Sequence, residues 1–343
     1  MQKWIDVRSD TVTQPTPEML QAMMSAPLGD DVYSEDPTTN LLQEKLADLF
    51  GKKMALFVPS GTMSNQLAVK THTQPGDELL CDSTCHIYTW EAGGPAVLSG
   101  VTCRTIEGQY GILDVAQLKD KIRPGNEHYV RTKLVCLENT HNRGGGKIYP
   151  LEKIKLISDW ARENNLRMHL DGARLWNAII ASGISAKNWA SHFDSVSVCF
   201  SKGLGCPIGS ALIGSEEFIK QARRNRKLFG GAMRQSGVIA AAALYAIENH
   251  VERLAIDHQN AKLISQAIKN SRFFSLEPAE VETNLIWFRV DPDFANASRI
   301  ANDARNCGIL ISPLTNEHLR ICTHLNVNKT DCQKIIDFIE SVH

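Results

Sequence analysis

The chain has little of what marks a nucleic-acid binder, a membrane protein or a disulfide scaffold. Its 37 basic and 38 acidic residues leave a formal net charge of -1. That balance offers no electrostatic footprint for a polyanion and no polybasic anchor for a membrane surface. No window approaches the roughly 18 consecutive apolar residues of a membrane span. The start, Met1 to Asp10, has no apolar core of the kind a secretory signal needs, and none is expected. The nine cysteines are odd in number, scattered, and contain no C-x-x-C pair. A disulfide framework is therefore not expected, and the expected compartment is the reducing cytoplasm. Cys81, Cys85 and His86 lack a second paired half elsewhere, so no metal site is expected. Internal repeats and low-complexity tracts are also missing. No G-x-G-x-x-G follows the first strand, which argues against a dinucleotide-binding dehydrogenase. A small-molecule partner is what remains.

What is present is ordinary globular composition, 43% hydrophobic and 22% charged over 343 residues. At ~150 residues per domain, that length suits a large core plus a smaller unit. Short apolar runs alternate with longer amphipathic ones through the first two-thirds. The strand-like runs are Ala55 to Val58, Glu78 to Cys81, Leu134 to Leu137, Arg167 to Leu170, Val196 to Phe200 and Ser210 to Ile213. Helical patterns such as Leu151 to Asn164 lie between many of them. This alternation predicts an α/β fold with a mostly parallel sheet covered on both faces. A long helical stretch is expected from Ala240 toward Ile268, followed by strands at Asn284 to Val290 and Leu319 to Leu325. Helices at Ala297 to Cys307 and Thr330 to Val342 would complete a smaller C-terminal α+β domain. The reading is a large domain, 1–248, with an N-terminal arm, 1–25, and a small domain, 249–343.

The polar residues at the strand ends carry the chemistry. Ligands of open α/β sheets bind beyond the carboxyl ends of the strands. Four runs end there in polar groups: Pro59-Ser60-Gly61-Thr62, Glu138-Asn139-Thr140-His141, Asp171-Gly172-Ala173-Arg174 and Ser201-Lys202-Gly203. Gly61 and Thr62 open a helical pattern, and free N–H groups at a helix start can hold a phosphate, although an ordinary N-cap reads the same way. Lys202 after a buried strand can lose its proton and form a Schiff base, while the plain alternative is a solvated loop lysine. Asp171 could keep a pyridine nitrogen protonated or simply cap the next helix. Arg174 adds a partner for a phenolate or a carboxylate. His86 could stack on a flat ring, and it and His141, taken singly, are as well explained by structure. Phosphate cradle, ring-nitrogen acid and aldehyde-binding lysine nevertheless fall in the chain order that pyridoxal 5'-phosphate requires.

Longer motifs sharpen this. They include Arg8-Ser9-Asp10-Thr11-Val12-Thr13, Gly29-Asp30-Asp31-Val32-Tyr33, Glu91-Ala92-Gly93-Gly94, Leu137-Glu138-Asn139-Thr140-His141-Asn142 and His169-Leu170-Asp171-Gly172-Ala173-Arg174. Ser201-Lys202-Gly203-Leu204-Gly205, Gly230-Gly231-Ala232-Met233-Arg234-Gln235 and Arg320-Ile321-Cys322-Thr323-His324-Leu325 follow. With them the chain resembles the low-specificity L-threonine aldolases, almost end to end. The resemblance implies a fold type I, pyridoxal-phosphate-dependent transferase-like architecture with a seven-stranded sheet. It implies retro-aldol cleavage of β-hydroxy-α-amino acids, threonine and allo-threonine included, to glycine and an aldehyde. The alternative is another fold type I enzyme, an aminotransferase or a β-eliminating lyase.

By the same resemblance Lys202 would hold the cofactor, His86 would stack on its ring and Asp171 would pair with the ring nitrogen. Gly61 and Thr62 would bind the phosphate with help from Ser201. Ser9, Arg174 and Arg320 would grip the substrate carboxylate, and His86, His141 or a water between them would take the β-hydroxyl proton. Tyr33 and Arg234 would reach the site of a neighbouring subunit, in a homotetramer whose sites form at dimer interfaces. The chain departs from the family pattern in Ser34-Glu35, where members carry glycine and an acidic residue, and in the longer, glycine-rich loop 142–147.

Overall fold

The computed structural model describes residues 4–342. Residues 1–3 of the expected N-terminal arm and His343 lie outside it. The chain enters on a two-residue strand, β1 (Ile5–Asp6), which pairs in parallel with Ile309–Leu310 far along the sequence. The start of the chain is thereby fastened to the C-terminal unit, a pairing with no signal in the local sequence.

The large sheet holds seven strands: β2 (Met54–Val58), β3 (Asp77–Asp82), β4 (Thr102–Ile106), β5 (Arg131–Glu138), β6 (Arg167–Gly172), β7 (Ser195–Cys199) and β8 (Ser210–Gly214). Their spatial order is β2-β8-β7-β6-β5-β3-β4. Only β8 runs against its neighbours, pairing antiparallel with both β7 and β2. The other six point the same way, so their carboxyl ends share one edge. Strands β6, β7 and β8 are buried along almost their whole length, as expected for strands covered on both faces. Leu42, Leu46, Phe57, Val135, Ile157 and Trp189 belong to the main hydrophobic cluster.

Strands β9 (Phe274–Leu276), β10 (Leu285–Val290), β12 (Ser312–Pro313) and β13 (His318–Cys322) form a separate antiparallel sheet, with β11 (Ile309–Leu310) beside it on the β1 pairing. Ile286, Phe288, Ile300 and Ile335 fill a second core that also takes in Val7. The α/β architecture with a small antiparallel unit agrees with the sequence reading. The long helix expected over 240–268 is two helices, Gly237–Asn249 and Leu254–Asn270. The turn between them carries His250, whose ring Nδ1 meets the Leu204 carbonyl at 2.7 Å. Apolar periodicity runs through this turn because both helices bury a face, and only tertiary contact marks the break. Strands β4, β9 and β12 were also not anticipated. They are short or partly exposed edge pieces with weak alternation. No helix among the described residues is long and apolar enough to cross a membrane.

One glycine sets how closely two central strands approach. A Cβ on Gly172, the last residue of β6, would lie 2.3 Å from the Ser197 carbonyl oxygen of β7. Backbone cannot yield there as a side chain could. Gly172→Ala should therefore destabilise the protein by about 1–3 kcal/mol, read as a lower urea midpoint. A midpoint equal to that of the wild type would show that the two strands can part without cost.

Candidate active site

A cleft of about 320 Å³ opens at the carboxyl edge of the large sheet. Gly61, Thr62, His86, Asp171, Ser201 and Lys202 all line it, and they come from the ends of four strands, β2, β3, β6 and β7, or the turns after them. Six of the twelve residues singled out in the sequence are thus brought to one place.

Ser60 caps the helix Gly61–His72, its Oγ accepting from the Met63 N–H at 3.1 Å. The first-turn N–H groups of Gly61 and Thr62 find no acceptor among the described residues. These are the donors that a helix start offers to an anion. Lys202 stands after β7, its Nζ 3.5 Å from Cys199 Sγ beneath it. Its backbone is pinned by Thr13, whose hydroxyl donates to the Lys202 carbonyl at 2.8 Å. Asp171 ends β6 almost wholly buried. Its Oδ1 accepts from the Ala173 N–H at 3.1 Å and its Oδ2 from Asn65 Nδ2 at 2.8 Å.

His86 begins the short helix His86–Thr89, held by its N–H donating to Glu138 Oε2 at 2.8 Å. Its Nδ1 lies 2.8 Å from Glu91 Oε1, which also receives a hydrogen from Asn65 at 2.8 Å. With Nδ1 committed to the carboxylate, Nε2 is the ring atom left for chemistry. Burial opposes a proton on His86, but the bond to Glu91 and the charges of Asp171, Glu91 and Glu138 outweigh it and raise the imidazole. Burial likewise pushes the Glu91 carboxyl up. The pair therefore keeps its proton to higher pH than a free imidazole would. Ligand atoms of His86, Glu91 and Asp171 lie within 4.8 Å of one another. The Asn65 amide donates to both carboxylates, so the three read as one hydrogen-bond network.

Three further residues, Arg174, Arg320 and Ser9, do not line the cleft themselves. Arg174 was expected to hold a substrate carboxylate, yet its Nε and Nη2 are taken by Asp10, at 2.8 and 2.6 Å, with both partners buried. Arg320 is engaged differently. Its Nε and Nη2 donate to the Arg8 carbonyl, at 3.2 and 2.8 Å, and its Nη1 to Asn142 Oδ1 at 3.0 Å. Neutral oxygens of this kind can be exchanged for a carboxylate, whereas a buried ion pair cannot be opened cheaply. Ser9 caps the short turn Asp10–Val12, accepting from the Thr11 N–H at 3.3 Å.

The other three do not line the cleft either. His141 is fully enclosed, 0% exposed, and does not line the cleft. Its Nδ1 accepts from the Gly144 N–H at 3.1 Å, and its Nε2 is 3.4 Å from Asp82. The glycine-rich loop folds it in: His141 and Lys147 bridge at 2.9 Å, and a Cβ on Gly111 would meet the imidazole at 2.3 Å. Tyr33 is 70% exposed, and the Arg234 guanidinium donates to Asp30 at 2.8 Å. Neither touches this chain's own cleft. Ser34 adopts φ 62°, a left-handed conformation that a glycine would take with less strain.

Sequence reasoning gave no role to Asp10, Asn65, Glu91, Glu138 or His169. Asp10 and Glu91 stood inside quoted motifs, and a lone acid beside a serine or a glycine pair carries no local sign of its partner.

A flat, phosphate-bearing aldehyde fits this arrangement of free helix-start donors, lysine amine and buried carboxylate. That is the class of site the geometry defines. Comparison with known proteins carries it to a family. The chain belongs to the beta-eliminating lyase family, whose model matches residues 6–291. A low specificity L-threonine aldolase of Escherichia coli strain K12 is 43% identical over 332 residues, covering 96% of this chain and 97% of that one. A probable low-specificity L-threonine aldolase of Arabidopsis thaliana is 38% identical, covering 98% of this chain and 97% of its own. A solved threonine aldolase of Leishmania major superposes with a TM-score of 0.84 at 22% identity, covering 98% of each chain, and so shares the fold.

Two outcomes follow from the charges. Asp10→Asn leaves Arg174 buried without its anion and should cost about 3–5 kcal/mol. Asp10 is held well below the usual carboxylate range, burial opposing and Arg174 overriding. Its stabilisation is therefore complete above the unfolded value near ~3.9 and is lost as pH falls through the lower folded one. An acid-unfolding curve of the variant should lack that component, and an unchanged curve would count against the pairing. Glu91→Gln removes a charge that raises His86, so the acid limb of the pH–rate profile should move to lower pH. A limb that stays in place would separate Glu91 from the titration.

Proposed function

We propose that the chain cleaves β-hydroxy-α-amino acids, L-threonine and L-allo-threonine among them, to glycine and an aldehyde, with pyridoxal 5'-phosphate bound in the cleft. The observation that carries this is the convergence of Lys202, Asp171 and the open helix start at Gly61 on one cleft. The names of the relatives that align almost end to end with it point the same way. When bound, the cofactor supplies an electron sink for the pair released at the substrate α-carbon.

The chain's own residues divide the remaining work. Gly61 and Thr62, with Ser201 at the same wall, hold the phosphate, and Lys202 Nζ presents the amine that anchors the aldehyde. Asp171 keeps the ring nitrogen protonated, which sustains the pull on electrons. Arg320 exchanges its neutral acceptors for the substrate carboxylate and fixes which α-carbon bond stands over the ring. Arg174, oriented by Asp10 through Nε and Nη2, leaves Nη1 for the same carboxylate. His86 Nε2 takes the β-hydroxyl proton as the Cα–Cβ bond breaks, oriented by Glu91. The enclosure of His141 favours His86 for this step.

Tyr33 and Arg234 serve the cleft of a second copy in an oligomer, a homotetramer on the family pattern. Support for this is that both stand at the surface outside their own cleft. We place the unit boundary near residue 249, at the turn between the two helices Gly237–Asn249 and Leu254–Asn270. A cytoplasmic setting agrees with nine free cysteines.

Incubation with L-threonine tests the reading. Glycine and acetaldehyde in equal amounts are expected, and a 2-oxo acid without glycine would assign another branch of the fold. Lys202→Ala should lose the cofactor's visible absorption, and an unchanged spectrum would refute the role of Lys202. His86→Phe should lower kcat by about 10²–10⁴-fold, and near-normal turnover would move the base elsewhere.

A further inference from the structure

Strands β6 and β7 carry a polar face where apolar packing would be expected. His169 and Asp171 alternate with Met168 and Leu170, and Ser195 and Ser197 alternate with Val196 and Val198. The register pairs His169 with Ser195 and Asp171 with Ser197, so all four share one side of the sheet. The helix Gly61–His72 covers that side and brings Asn65 and His72 to it. Asn65, His169 and Ser195 are all buried. Burying so many polar groups is costly unless each is answered.

Ser197 is held by Ser64 Oγ at 2.7 Å and stands 3.5 Å from His169 Nε2, where it can accept a share of that N–H. The others form one connected chain whose direction the Asn65 amide sets. Asn65 Nδ2 lies 2.8 Å from Glu91 Oε1 and 2.8 Å from Asp171 Oδ2. Two carboxylate acceptors use both amide hydrogens, so Asn65 Oδ1 must accept. The donor is His169 Nε2, at 3.1 Å, which fixes the proton on that nitrogen. Burial lowers His169 to about 4, so the ring is neutral and its Nδ1 must accept. Ser195 Oγ, 2.9 Å away, therefore donates to it. Ser195 in turn accepts from His72 Nε2 at 2.7 Å. His72, whose ring stacks on Phe218 at 4.4 Å, lines a separate cleft of about 1010 Å³ at the amino ends of β6 and β7. Every hydrogen points toward Asp171, along the length of the sheet.

We propose that His169 is a positioning residue: through this one-way chain it locks the Asn65 amide so that a hydrogen, not a lone pair, meets Asp171. The other tautomer of His169 would turn a lone pair toward Asn65 Oδ1. The amide would then gain by inverting, setting its oxygen against two carboxylates. Asp171 would lose its Asn65 donor, keep only the Ala173 N–H on its other oxygen, and turn away from the position where it holds the ring nitrogen. The functional consequence rests on the cofactor reading above, and the chain itself does not.

The direct test is ¹⁵N NMR of the imidazoles in the wild-type enzyme, with His169→Phe used for assignment. A neutral Nε2–H tautomer for His169 at neutral pH is expected, and a neutral Nδ1–H form or an imidazolium overturns the proposal. In turnover, His169→Phe should lower kcat by about 10–100-fold, leave KM within about twofold, and change the bound cofactor's absorption. His169→Gln, whose amide can still donate to Asn65, should recover most of the loss. Equal impairment in both variants, or full activity in the phenylalanine variant, overturns the proposal. Should neither variant fold, ¹⁵N-histidine labelling with Asn65→Asp, in which the acceptor changes, supplies the assignment and the tautomer still decides. A wild-type enzyme that fails to cleave threonine but shows the Nε2–H tautomer would refute the assigned reaction and leave the chain standing.

Discussion

A carboxylate buried at the end of a central strand must be met by hydrogen-bond donors, because an unanswered polar group in the interior is costly. Much of the architecture around the cleft meets that demand at Asp171. Strand β6 delivers it, Gly172 lets β7 come close behind it, and the helix Gly61–His72 supplies Asn65 from above. The same helix presents its open first turn to the cleft, so on the proposed reading one element would serve both the phosphate end and the ring-nitrogen end of the cofactor. Lys202 arrives from the neighbouring strand on a backbone tied to Thr13. The distance between these groups is set by sheet geometry and not by loops, which suits a site that must hold a rigid ring.

The second organising feature is how charge is divided among the arginines. Arg174 is neutralised by Asp10 inside the protein, while Arg320 rests on uncharged oxygens. A site that must admit a carboxylate needs cationic donors that are free or replaceable: Arg320 has replaceable partners, and Arg174 keeps Nη1 outside its pair with Asp10. Asp10 lies on the N-terminal segment, which is fastened through β1 to the C-terminal unit. Arg320 stands on β13 of that unit. On the proposed reading the carboxylate end of the site would be assembled across the junction of the two sheets, and the cofactor end within the large sheet alone.

Which parts were legible in the sequence follows from this division. Strand ends of the large sheet announce themselves, because a buried apolar run that stops at Ser60, Asp171 or Ser201 puts polar atoms at a known edge. Motif resemblance added Arg320 and Ser9, which no local pattern would have placed. The partners of these residues were hidden. Nothing beside Asp10 reveals Arg174, 164 positions on, and nothing near His141 shows that a glycine loop closes over it. The polar face of β6 and β7 left a trace, since His169 and Asp171 alternate with Met168 and Leu170 in a strand paired with the wholly buried β7. Period-two polarity usually marks a strand facing water. Here it faces the helix Gly61–His72, and only the three-dimensional packing distinguishes the two cases. The break at His250 was invisible because apolar periodicity continues across it.

The central claim is that one particular amine carries the cofactor. Reduction of the purified enzyme with borohydride, followed by proteolysis and mass mapping, traps that attachment on the chain. The phosphopyridoxyl group should be found on Lys202 alone. Its recovery on any other lysine, or its absence from an enzyme that still cleaves threonine, would contradict the account.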